Sequence, residues 1–352
     1  MTGPVTVEIP VLPAQEKGNP YLSLQQSASD PFAWTGAYEM SDAEIDELVD
    51  PDWAYPNLII TGHLIVVPAP PNGGKTTIFE WVCSQVASYY RVIYVNADIS
   101  GGDAKTAHRK AREGGYTLLL PDMKSGLSMD DVVANLVHMN ESGADLSRVL
   151  MVFDTLKKMV DVISKQKSRE LYKVLRGLTA KGMTIVLLAH TNKHKGDDGK
   201  PIFEGTGDLR SDVDEMIYLL PIKHDDGSMT VSTDPDKVRG DFQPITFEIS
   251  PPPDRVVRQI GHIDVAGELR YETQLKADAD DLATIEAILK RGALKQTEIV
   301  EHCKPEGLSR RRVLKLLKRY AVGERARLVC RRGTENNAAI YALKNEPGYI
   351  RK

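Results

Sequence analysis

Cysteine is scarce: Cys83, Cys303 and Cys330 are the only three in 352 residues. They form neither a paired metal-binding spacing nor a disulfide framework, so a disulfide-stapled fold is excluded and a reducing cytoplasm is the expected setting. No apolar run approaches the roughly 18–20 residues that a bilayer crossing needs. The opening MTGPVTVEIP has no basic start ahead of an apolar core, so no membrane partner is expected. No internal repeat is visible. Basic residues are nearly missing from positions 1–60, where one lysine faces ten acids for a net charge of −9.

What is present is the composition of a globular chain, 41% hydrophobic and 27% charged, long enough for two domains. Residues 280–352 reverse the early charge balance, with seventeen Lys/Arg against nine Asp/Glu, a net of +8 within a whole-chain −4. Such segregation suggests a basic module on an acidic body. Nucleic acid is the usual partner of such a module, and a plain solvated surface is the alternative.

Residues 1–40 lack periodicity and read as an N-terminal arm. Ser41 then opens SDAEIDELV as an N-cap, with Glu44 completing a capping box. From 41 to 265, apolar runs such as HLIVVPA, RVIYVNAD, RVLMVFD and MTIVLLAH alternate with helical stretches at 76–90, 128–141 and 167–181. That alternation predicts an α/β domain with a mainly parallel sheet covered by helices on both faces. Residues 266–280 read as a linker. From 281 to 346, three short helices and a two-stranded hairpin have the layout of a winged helix.

The stretch VVPAPPNGGKTTIFEWV, 66–82, is a phosphate-binding loop with Ala69 where the G-x-x-x-x-G-K-[ST] pattern has its first glycine. The parts with direct chemistry remain. Gly73 and Gly74 let backbone N–H groups close on phosphate oxygens at a helix N-terminus. Lys75 can reach the β- and γ-phosphates and the Thr76 hydroxyl can bind Mg²⁺. The first glycine mainly permits a tight turn, so alanine is tolerable if its φ stays negative. Ala69, Pro70, Pro71, Asn72, Gly73, Gly74, Lys75, Thr76 and Thr77 are the candidate nucleotide-binding set. RVLMVFDTL ends in Asp154, the carboxylate that in this class holds the ion through water, so ATP and Mg²⁺ are the expected cofactors.

With these parts in this order, residues 40–260 resemble the RecA-like P-loop ATPases, in particular the RepA/DnaB-type hexameric helicase branch. The resemblance implies that Asp98 polarises the attacking water. The family has glutamate there, so the shorter Asp98 is a departure that leaves Asp103, or a merely structural Asp98, open. It implies that His190 senses the γ-phosphate, and that Lys193, His194, Lys195 and Lys200 face single-stranded DNA in a central channel. It also implies that Lys237 and Arg239 of KVRG reach a neighbour's ATP site in trans. On the winged-helix layout, Arg310, Arg311, Arg312, Lys315, Lys318 and Arg319 with hairpin residues Arg331 and Arg332 are candidate duplex contacts. The expected protein is a DNA-dependent ATPase motor, a hexameric replicative helicase of a plasmid, phage or mobile element. The alternatives are an ATP-controlled DNA-binding switch and a recombinase-like filament ATPase.

Overall fold

The computed structural model describes residues 31–46, 50–123, 126–159, 165–196, 201–204, 207–323, 325–333 and 337–344. The chain divides into two units, Met1–Asp50 and Pro51–Lys352. In the first, a 3₁₀ turn at Ala33–Ala37 precedes α1 (Asp42–Asp46). The expected capping box is present there: Glu44 accepts from the Ser41 N–H at 2.7 Å, and Ser41 Oγ accepts from the Glu44 N–H at 3.3 Å.

The second unit begins with the antiparallel pair β1 (Trp53–Tyr55) and β2 (Ile59–Ile60). Then follow β3 (Leu64–Ala69), α2 (Lys75–Val86), β4 (Arg91–Asn96), α3 (Gly101–Gly114), β5 (Thr117–Leu119), α4 (Met129–Glu141), β6 (Val149–Asp154) and α5 (Lys165–Ala180). Next come β7 (Thr184–Lys195), β8 (Pro201–Phe203), α6 (Gly207–Asp212), β9 (Glu215–Lys223), β10 (Met229–Lys237), β11 (Thr246–Ile249), β12 (Val257–Ile260) and α7 (Val265–Ala277). The main sheet runs β12-β11-β10-β9-β3-β7-β6-β4-β5, with β8 attached to β7. From β9 to β5 every pairing is parallel; β10, β11 and β12 extend the sheet as an antiparallel meander. The mainly parallel α/β sheet flanked by helices agrees with the fold expected from the alternating apolar runs.

Those runs are continuous because both faces of each central strand are covered, and the period of two divides their side chains between two cores. Ile65, Val67, Leu150, Val152, Val186 and Leu188 enter one core with α2 residues Ile78, Phe79, Val82 and Cys83. Leu64, Val66, Met151, Phe153, Ile185 and Leu187 enter the other with Leu171, Leu175 and Leu178 of α5.

Residues 279–343 form a module with its own core. Its elements are α8 (Ala279–Leu289), β13 (Leu294–Lys295), α9 (Gln296–Cys303), α10 (Arg310–Tyr320), β14 (Leu328–Arg332) and β15 (Ala339–Leu343). The three strands pair in the order β13-β15-β14, so the hairpin gains a third strand that the sequence pattern did not reveal. The stretch expected as a linker, 266–280, is instead almost wholly helical. α7 packs on β9 and β10, its Tyr271 and Leu275 pack on the module's core, and Asp278 ends α7 and starts α8.

Asp278 is fully buried and binds Arg312 at 2.9 Å, Arg319 at 2.5 Å and the Tyr320 hydroxyl at 2.9 Å. Burial alone would raise its pKa, but the hydrogen bonds from Arg319 and Tyr320 and the two guanidinium charges prevail and hold it lowered. Its stabilising share is therefore complete above the ordinary aspartate value and is lost as pH falls through the lowered folded value. Asp278→Ala should cost the module about 2 kcal/mol, as expected for charge-assisted hydrogen bonds to partly exposed arginines. Urea denaturation followed by helical circular dichroism measures this; an unchanged midpoint would show that the clamp contributes nothing.

Candidate nucleotide site

The loop between β3 and α2 stands at the carboxyl edge of the parallel strands, where open α/β sheets bind ligands. Ala69 is the last residue of β3, so it has the negative φ of a strand, and its missing hydrogen-for-methyl freedom costs nothing. The sharp turn falls three to five residues later, where Asn72 and Gly74 have φ of 55° and 83°. A Cβ on Gly74 would meet Ile249 Cδ1 at 2.7 Å, and one on Gly73 would meet the Pro70 carbonyl at 2.8 Å. Gly73 is held to glycine by the backbone carbonyl that a side chain would strike, and Gly74 by its left-handed φ.

A cavity of about 690 Å³ opens over this loop, lined by every residue from Pro71 to Thr77 together with Asp98 and His190. Ala69 and Pro70 are not in its lining; both belong to the strand's exit and carry the loop without facing the ligand space. Lys75 is the first residue of α2 and is only 8% exposed.

Residues 78 positions apart meet at the cavity's floor: Thr76 Oγ1 donates to Asp154 Oδ2 at 2.6 Å. β7 lies between their two strands, and α2 carries Thr76 across to the end of β6. The buried Tyr94 hydroxyl donates to the same Oδ2 at 2.9 Å. Among the described residues no group of three or more His, Cys, Asp or Glu side chains is placed to hold a metal. A hydroxyl and a carboxylate in contact beneath the loop are oxygen donors of the kind Mg²⁺ takes, and Thr76 and Asp154 would hold that ion beside a bound phosphate.

Asp98 lines the cavity just beyond β4, with its N–H donating to Asn96 Oδ1 at 3.1 Å and its carboxylate 3.6 Å from the Lys158 ammonium. Asp103 lies instead in the first turn of α3, accepting from Ser100 Oγ at 2.7 Å. Of the two candidate acids, only Asp98 faces the cavity. His190 pairs with Ala69 across β7 and β3, and its buried Nδ1 has no hydrogen-bond partner among the described residues. Burial first, then the Lys75 charge, lowers its pKa, so its ring is neutral at pH 7.

Lys223, His224 and Arg255 also line the cavity, from the β9–β10 and β11–β12 turns, and the motif analysis missed all three. Only the pairing of the antiparallel meander brings these turns over the loop. Arg255 and Thr77 also line a second cavity of about 610 Å³ beside Glu80, Trp81 and Tyr116.

Lys237 and Arg239 do not approach this site. Met229, at the start of β10, lines the cavity, and Lys237 lies eight residues further along the strand, about 26 Å away. The Lys237 ammonium donates to the carbonyls of Arg210 (2.9 Å), Ser211 (3.0 Å) and Val213 (2.6 Å), closing the C-terminal end of α6. Arg239 Nη1 lies 2.9 Å from Asp214 Oδ1. Lys193, His194 and Lys195 lie at the end of β7; their side chains, and the whole of Lys200, fall outside the described residues.

On α10, Ser309 is the expected N-cap, accepting from the Arg312 N–H at 3.3 Å. Arg310, Arg311, Lys315 and Lys318 are exposed, as are Arg331 and Arg332 on β14. Arg312 does not join that face: it pairs with Asp278 and with Asp281 at 2.6 Å, turned inward toward α8. Arg319 is likewise held by Asp278.

No family model and no curated protein matches the chain. The solved structures that match include the flagellar accessory protein FlaH from Methanocaldococcus jannaschii, at 15% identity and a TM-score of 0.40, over 58% of this chain and 92% of that one. So loose a likeness carries no argument about activity, and the site stands on its own geometry. No helix among the described residues is long and apolar enough to cross a membrane.

Proposed function

We propose that the chain is an ATP-hydrolysing, DNA-dependent motor that works as a ring-shaped homo-oligomer, a hexameric helicase of a replicating plasmid, phage or mobile element. The observation that carries the nucleotide reading is the 2.6 Å bond between Thr76 and Asp154 beneath a loop whose Gly73 has no room for a Cβ and whose Gly74 has a left-handed φ. In this reading Lys75 neutralises the β- and γ-phosphates and Thr76 with Asp154 holds the magnesium ion. Asp98 takes the proton of the attacking water, and the neutral His190 contacts the γ-phosphate side of the cavity. The nucleoside extends past Thr77 into the second cavity.

The oligomeric reading is supported by the placement of Lys237 about 26 Å along β10 from Met229 at the cavity, which keeps Lys237 and Arg239 from their own phosphate loop and leaves them for a neighbour's. The basic face of α10 with Arg331 and Arg332 suits duplex phosphates, as in a winged helix. The same face, on a module with its own core, also favours a second reading, an ATP-controlled DNA-binding switch without unwinding.

The test is the ATPase rate with and without single-stranded DNA, on a sample imaged for rings. Stimulation by the strand together with closed rings is expected. Turnover indifferent to single strands in a protein that still binds duplex would favour the switch. Arg311→Glu with Lys315→Glu should weaken duplex binding and flatten its log–log salt slope by about 0.9 per lost phosphate contact. An unchanged slope would make the module a protein-docking element.

A further inference from the structure

Asp154 Oδ2 accepts from two sides, from Thr76 Oγ1 at 2.6 Å and from the Tyr94 hydroxyl at 2.9 Å. β4 and β6 are parallel neighbours in which Tyr94 faces Val152 and Asn96 faces Asp154, so the phenol reaches forward to the carboxylate from the adjacent strand. The Tyr94 ring is fully buried, with its centroid 6.1 Å from that of Tyr116. We propose that Tyr94 is a positioning residue: it pins the carboxylate of Asp154 against Thr76, so that the pair is preorganised for the magnesium ion that accompanies a nucleotide.

Two physical points favour this over a tyrosine that merely satisfies its own hydroxyl. A buried carboxylate is costly to leave short of donors, and Thr76 alone must share its oxygen with the ion. A second donor that the ion does not need keeps Asp154 in one orientation as the metal arrives, the usual task of groups behind a metal ligand.

This inference rests on the nucleotide reading above, and the experiment separates the two. ADP binding is measured by calorimetry in magnesium-free buffer and then across a Mg²⁺ titration, for the wild-type protein and Tyr94→Phe, with melting temperatures alongside. Wild-type protein that binds no ADP would remove the nucleotide reading and the role of Tyr94 with it. If ADP binds, Tyr94→Phe should leave magnesium-free affinity within about twofold and raise the Mg²⁺ half-saturation about tenfold, as for other groups behind a metal ligand. In an Asp154→Ala background the same change should add nothing, because the interaction it removes is already absent. An unchanged Mg²⁺ half-saturation overturns the proposal. So does an equal loss of affinity with and without magnesium, which would mark Tyr94 as a packing residue.

Discussion

Lys75→Ala is expected to abolish detectable ATP hydrolysis in a protein that remains folded, a loss of at least about 10²–10³-fold, the effect of removing one preorganised group from a charge-stabilising site. The sequence motif gives a lysine within reach of the β- and γ-phosphates. The structure places it at the head of α2, 8% exposed, where its charge acts in partly desolvated surroundings and is screened less by water. A second readout is independent of turnover. Because the Lys75 charge is the second cause of the lowered His190 pKa, its removal should raise that pKa, and the imidazole resonances can be followed by NMR. Near-normal turnover in the folded variant would sink the site assignment.

Arg239→Ala should reduce ATPase activity by about 10³–10⁵-fold, the range for a guanidinium that stabilises a transferring phosphoryl group, and should leave nucleotide affinity nearly intact. Arg239 is the cleaner probe of the pair, because Lys237 also closes α6 and its loss would disturb that helix. Arg239 is free to move: Asp214 also receives the Leu64 N–H at 2.9 Å and Arg176 at 2.5 Å, so the carboxylate stays paired when Arg239 leaves. Burial opposes ionisation of Asp214, but those hydrogen bonds and the two guanidinium charges hold its pKa lowered. Arg239→Ala retains its own phosphate loop, and Lys75→Ala retains its finger. Mixing the two inactive proteins should therefore restore partial activity at interfaces where an intact loop meets an intact arginine. Mixed oligomers that stay inactive, or a fully active monomer, would dismiss the trans arrangement.

The phosphate loop was legible because its chemistry is local: Gly73, Gly74, Lys75 and Thr76 are consecutive, and their spacing alone specifies a cradle at a helix start. Asp154 was legible for a related reason, as a carboxylate ending a fully apolar strand. Tyr94 was not, since a tyrosine inside RVIYVN looks the same whether its hydroxyl meets a carboxylate or a carbonyl. The choice between Asp98 and Asp103, five residues apart, needed the start of α3, which directs Asp103 to Ser100 and leaves Asp98 at the cavity. Arg312 shows the same limit on α10. Its place in a basic run suggests a solvent-facing cation, but Asp278 and Asp281 on another helix draw it inward.

The sequence by itself determined the α/β class, the strands that would be buried on both faces, the place of the glycine-rich loop between a strand and a helix, and the basic character of the C-terminal stretch. Each is written in residue types and periodicities over stretches of a few to about fifteen residues, where backbone geometry imposes the repeat. Only the tertiary structure decided that β7 separates the loop strand from the Asp154 strand, and that two distant turns bring Lys223, His224 and Arg255 over the cavity. It alone made a helix of the stretch that read as a linker, and it alone put Lys237 and Arg239 at the edge of the sheet away from their own loop. Strand order and register are set by side chains packing across the sheet between segments distant in the chain, such as β3 with β7 and β9, and no local pattern records which of those segments will meet.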